Sequence, residues 1–198
     1  NSQPTLEEII NEINKRIDKL KISEREKINE KTRAEIAFTN FYNQRRNIFK
    51  TPAKSEVKFR KIMLDNGILI DGNIDRIEIN DEDKTIEIVD FKTGNISQKD
   101  SFKNKTKLHK YEIQLYFYKL LLNNSPEYAK YKVNTGRLEF IEGDERYKTP
   151  IIKSLNFNQE SEDRVKQLIA ALDKKLKAFD FKNIENLPNV TVSDLIKF

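Results

Sequence analysis

The chain has 198 residues, 37% hydrophobic and 35% charged, with 37 Lys and Arg against 32 Asp and Glu, a net charge of +5 and no Cys. That length suits one domain with its own core, and the absence of Cys excludes disulfides, thiolate metal sites, iron–sulfur clusters and cysteine nucleophiles. No apolar run approaches the ~18 residues of a membrane-spanning helix, so no membrane partner is expected; a reducing, cytoplasmic setting agrees with the missing thiols, and the basic balance, with a pI near 9.1, leans toward an anionic partner such as nucleic acid.

In chain order, Leu6, Ile9, Ile10, Ile13, Ile17 and Leu20 recur at helical spacing behind a Thr5/Glu8 capping box. Ser23 and Glu26 open a second helix carrying Ile28, Ala34, Ala37, Phe38, Phe41 and Tyr42 as far as about Arg46. The period then changes. Residues 56–63, 67–79 and 85–91 are rich in β-branched side chains and are separated by the turn signals Asp65-Asn66-Gly67 and Asn80-Asp81-Glu82-Asp83, which predicts a β-meander. A polar stretch over 94–106 follows, then a helix over 111–123 and a strand over 133–141. A last helix is predicted over 160–179, with Val165, Leu168, Ile169, Leu172, Leu176 and Phe179 on one stripe. The chain reads as one domain over 1–198, with a helical lead-in over 1–50, a sheet and helix over 53–142, and a closing helix and tail over 143–198. The expected class is α/β, a mixed, mostly antiparallel sheet flanked by helices.

The third strand raises a chemical question. Residues two apart on a strand share a face, so Ile86, Ile88, Asp90 and Lys92 line one side, two apolar and then two charged. Burying such a pair at the end of an apolar row is costly unless something neutralises or uses it. A hairpin turning near 80–84 returns Asp75 beside Asp90, and two carboxylates so close suit an oxygen-seeking cation, Mg²⁺ or Mn²⁺, with the Phe91 carbonyl as a third ligand. Such an ion lowers the pKa of a bound water and balances phosphate charge, while Lys92 holds or polarises the nucleophile. The rival reading is an exposed cross-strand ion pair worth less than ~1 kcal/mol. Acid-x-Lys recurs at Glu56, Glu82, Asp173 and Asp180, but only Asp90 combines a strand end, a preceding strand with its own acid, and a following Gly.

The ordered motifs "GNIDRI", "IVDFKTG" and "YEIQLYFY" resemble the PD-(D/E)xK nucleases of the RecB type, in particular the nuclease domain at the C-terminus of UvrD/Rep-like ATP-dependent DNA helicases. The resemblance covers residues 53–122 well and the remainder in general pattern. It implies a restriction-endonuclease-like core, with Asp75, Asp90 and the Phe91 carbonyl as metal ligands, Lys92 as the catalytic lysine, and Gln114 with Tyr118 as the helix motif. Gln114 and Tyr118 are four apart and stack on one helix face with Tyr111 one turn earlier, where an amide and a phenol can hold Lys92 or the DNA backbone. The alternative leaves Tyr111, Ile113, Tyr116, Phe117 and Leu120 as core and Gln114 as a solvated neighbour. Glu56 stands where the family often has an acid on its first strand, at or just behind the metal. Arg76 is expected to ion-pair locally or touch phosphate, and His109 to be solvated beside Lys103, Lys105, Lys107 and Lys110, which can attract DNA.

Two departures from the family pattern stand out. The upstream His or Glu ligand has no His counterpart before His109, and no Cys is available for the iron–sulfur cluster of some relatives. No Walker A loop is present either. The expectation is a domain of a longer helicase–nuclease whose motor domains are its partners: a Mg²⁺- or Mn²⁺-dependent DNA nuclease, an exonuclease of recombination or repair. The competing reading is a catalytically inactive nuclease-like module that binds DNA or protein.

Overall fold

The computed structural model describes residues 4–46, 52–94, 96–102, 108–143 and 149–178. Helices α1 (Leu6–Asp18) and α2 (Glu24–Arg45) lead the chain, each opened by the expected capping box, Thr5 with Glu8 and Ser23 with Glu26. Strands β1 (Ala53–Met63), β2 (Leu69–Asn80) and β3 (Thr85–Lys92) form the meander. Its first turn places Gly67 at φ +77°, a conformation that costs glycine little. In the second turn the Asn80 side chain accepts from the Glu82 and Asp83 amides. Helix α3 (His109–Asn123) crosses to β4 (Lys132–Phe140), followed by β5 (Ile151–Asn156) and α4 (Gln159–Ala178).

The five strands of the described residues form one sheet in the order β1-β2-β3-β4-β5. Only β3 and β4 are parallel, as a helical crossover permits, and the other pairings are antiparallel. The architecture is the mixed, mostly antiparallel α/β core expected of a restriction-endonuclease-like domain. Its core lies between α3 and the sheet, where Leu115, Tyr116, Leu120, Leu121 and Leu122 meet Ile77, Ile86, Ile88, Leu138 and Phe140. The helix approaches closely at Gly136, where a Cβ would lie 3.0 Å from the Phe157 ring and 3.4 Å from Leu115.

Several sequence expectations are corrected. Strand β5 lies in a stretch assigned no element. His109 is the first residue of α3 rather than part of its approach, exposed and 3.5 Å from the Glu112 carboxylate. The α4 stripe is buried at Val165 and Leu168, but Leu172 and Leu176 are exposed, as is Ile28 on α2. Lys103, Lys105 and Lys107, and the tail from Phe179 onward, lie outside the described residues. No helix among the described residues is long and apolar enough to cross a membrane.

Candidate active site

The ladder between β2 and β3 runs from Asn80 opposite Thr85 to Arg76 opposite Val89. One step further sets Asp75 opposite Asp90, and opposed residues of antiparallel strands present side chains to the same face. The Asp75 carboxylate accepts the Phe91 N–H at 2.9 Å. Beyond the ladder, therefore, a side chain of β2 holds the backbone of β3. On its other edge β3 continues against β4, with Asp90 opposite Leu138 and Lys92 opposite Phe140.

Asp90 is only 1% exposed. The Lys92 ammonium stands 2.5 Å from its Oδ2, yet that oxygen is buried without a hydrogen bond. The contact has ion-pair distance but lacks hydrogen-bond alignment, and the Tyr118 hydroxyl lies against the same carboxyl, so the group is partly compensated while Oδ2 itself accepts no aligned hydrogen bond. Burial pushes the Asp90 carboxyl above its ordinary range; Lys92 pulls it down, and the neighbouring charge of Asp75 pushes it up again.

Helix α3 supplies the rest. Lys92 Nζ donates to Gln114 Oε1 at 2.9 Å, and Gln114 Nε2 donates to the Tyr118 oxygen at 2.7 Å. Tyr118 is buried, and burial, reinforced by the negative charge of Asp90, pushes its phenol up to about 12. The helix face predicted from the four-residue spacing thus carries a relay ending on the strand lysine. Gln114 is half-buried rather than a solvated neighbour.

Two further contacts were not expected from the sequence. The Tyr111 ring lies 4.7 Å from Lys92 Nζ, although its helical phase with Gln114 pointed toward that side. Phe41 of α2 meets the Phe91 ring edge-on, centroids 6.1 Å apart, a contact across fifty residues that no local pattern encodes. Glu56 stands apart. Its neighbours pair as Ser55 with Arg76 and Val57 with Ile74, which puts Glu56 beside Asp75 in strand order. Its side chain is exposed, and its φ of +53° is unusual for a residue with a Cβ. Arg76 pairs with Glu78 at 3.0 Å.

Whether these residues suit a divalent cation is decided by their donors. Two carboxylates converge on one face, one of their oxygens is buried without a hydrogen bond, and the Phe91 carbonyl lies between Asp90 and Lys92 in the chain. No group of three or more His, Cys, Asp or Glu assembles among the described residues. An oxygen-only, ligand-poor set matches Mg²⁺ or Mn²⁺, which keep several waters, better than a cation needing a full protein cage. The residues fit.

The family model of the PD-(D/E)XK nuclease superfamily matches residues 2–191. Among solved structures the chain is similar to that reported as the crystal structure of SSO0001, with 16% identity, a TM-score of 0.38, and coverage of 86% of this chain and 88% of that one. No curated protein matches the sequence.

Proposed function

The chain belongs to the PD-(D/E)XK nuclease superfamily, and from that premise we propose that it is a Mg²⁺- or Mn²⁺-dependent DNA nuclease domain of the RecB type. Its metal ligands are Asp75, Asp90 and the Phe91 carbonyl, and its catalytic lysine is Lys92. The observation that carries this reading is Asp90, a buried carboxylate left without a hydrogen bond on Oδ2, beside a second carboxylate and an ammonium.

A divalent cation bound by these ligands supplies Lewis acidity toward water and phosphate and balances the two acids. The chain's own residues then orient the reaction. Lys92, steered by Gln114, directs an ammonium at the nucleophilic water or a phosphate oxygen, where charge develops in the transition state. Tyr118 remains a neutral phenol near neutral pH, so it anchors Gln114 without adding negative charge beside Asp90. Asp75 fixes the Phe91 peptide through its amide, which orients the carbonyl-bearing strand end. Glu56 serves at the rim, beside Asp75 in strand order. The resemblance of the three sequence motifs to the RecB type supports exonuclease action with a UvrD/Rep-like helicase motor, in recombination or repair.

A second reading, DNA binding without cleavage, draws on the absence of a third His, Cys, Asp or Glu beside the two carboxylates among the described residues. End-labelled linear DNA, single- and double-stranded, separates the two. With Mg²⁺ or Mn²⁺ the chain should release short products from the ends, and Lys92→Ala should slow this by about 10²–10³-fold. Binding with no metal-dependent cleavage would assign the inactive module instead.

A further inference from the structure

Helix α3 begins beside the strand lysine, and its second residue, Lys110, is exposed. Lys110 Nζ lies 4.8 Å from the centroid of the Tyr111 ring, and the same ring carries Lys92 Nζ at 4.7 Å. That ring is itself held edge-on by Phe140, with centroids 5.9 Å apart. Two ammonium groups therefore share one immobilised aromatic side chain. A ring quadrupole attracts each cation but does not remove their mutual repulsion.

The two lysines differ in what balances them. Lys92 has Asp90 at 2.5 Å and Gln114 at 2.9 Å. Lys110 makes no ion pair among the described residues, and the Glu112 carboxylate of the same turn lies 3.5 Å from His109 Nδ1. The chain contains its own control, because Lys130 and Tyr131 form the same dipeptide with the ammonium 4.9 Å from the ring. There the Tyr131 hydroxyl donates to Asp81 at 2.7 Å, and Lys84 lies 3.5 Å from the same carboxylate. The Tyr131 hydrogen bond, then the charges of Lys84 and Lys130, hold the Asp81 carboxyl below its ordinary range. Ring contact alone thus follows from adjacency in sequence. Lys130 makes no ion pair among the described residues either; what distinguishes Lys110 is that it shares its ring with the site lysine, Lys92.

We propose that Lys110 binds a backbone phosphate of the DNA strand in the site, next to the phosphate served by Lys92, with the Tyr111 ring holding the two cations at a fixed spacing. This rests on the nuclease reading for the identity of the ligand. A phosphate there supplies the ion-pair partner that Lys110 lacks among the described residues, and each neutralised phosphate releases condensed counterions.

The test is fluorescence anisotropy of fluorescein-labelled DNA, single strand and duplex, with the whole chain in EDTA over about 50–200 mM salt. Lys110→Ala should flatten the slope of log affinity against log salt by about 0.7 for the single strand or 0.9 for the duplex. Lys110→Arg should retain the wild-type slope, and so should Lys130→Ala. An unchanged slope in Lys110→Ala, or an equal loss in Lys130→Ala, overturns the assignment. If wild type cleaves DNA with metal while Lys110→Ala keeps its slope, the phosphate contact alone fails. If the slope flattens but wild type never cleaves, the nuclease reading alone fails. A wild type that binds neither DNA overturns both.

Discussion

The two faces of the central sheet both carry carboxylates on β2 and β3, and one face adds Glu139 on β4; the two sets are treated in opposite ways. On the face away from Asp90, the Arg137 guanidinium meets Glu78 at 2.8 Å, Glu139 at 2.7 Å and Glu87. Arg45 of α2 adds a second guanidinium on Glu139, and Arg76 one on Glu78. Burial disfavours charge on Arg137, but its bonds to Glu78 and Glu139 keep it firmly protonated. On the α3 face, Asp90 has one ion-pair partner, Lys92, which is misaligned with the buried oxygen, and Asp75 accepts the Phe91 N–H. A buried acid is therefore no sign of function by itself. The informative quantity is how completely the protein neutralises it, and among the described residues the buried carboxylate oxygen left without a hydrogen bond is Asp90 Oδ2, on the α3 face.

The contrast sharpens most under mutation of its two centres. Asp90→Asn should reduce metal-dependent cleavage at least about 10³-fold, since it removes both a ligand and a charge, while the urea midpoint stays near wild type. Stability loss in this variant comparable to that of an Arg137 variant would erase the distinction between the faces. Arg137→Met should do the reverse and destabilise the fold by about 3–5 kcal/mol, because it strips Glu87 of its guanidinium and leaves Glu78 and Glu139 with one each in a buried network; equilibrium urea unfolding measures it. Gln114→Leu should cost about 10-fold in cleavage rate and about 1 kcal/mol in stability, by releasing Lys92 and leaving the Tyr118 hydroxyl without its amide. A rate equal to wild type would remove Gln114 from the site.

The smallest expected effect is one of pH, away from both centres. Burial works to raise the Glu162 carboxyl, but hydrogen bonds from Lys119 and Lys166 overcome it and hold the group below its ordinary 4.5. A depressed folded-state pKa contributes stability that is present above the unfolded value and lost as pH falls through the folded one. Unfolding midpoints should therefore drop below about pH 4.5 by more in wild type than in Glu162→Gln, and identical pH profiles would show that this α3–α4 link contributes nothing.

Much of this arrangement was legible because it is local. Period-two alternation through Ile86 and Ile88 set the face of Asp90 and Lys92. The Asn80–Asp83 turn set the hairpin register that returns Asp75 to Asp90, and the four-residue spacing set Gln114 above Tyr118. The illegible parts are non-local. Arg137 and its partners Glu78 and Glu87 are 59 and 50 positions apart, so the saturated face looks in sequence like scattered surface charge. Strand β5 is six residues long with an irregular burial pattern, too short for a period to emerge. The Phe41–Phe91 contact depends on how α2 docks, which its own sparse burial, Ala37 and Phe41, does not announce.

The central claim is that the under-neutralised acids hold a divalent cation. Calorimetric titration of Mn²⁺ into the wild-type chain and into Asp90→Asn tests it without any substrate. The account predicts a saturable binding heat in wild type that Asp90→Asn lacks. Equal heats in the two proteins, or none in wild type, would contradict it.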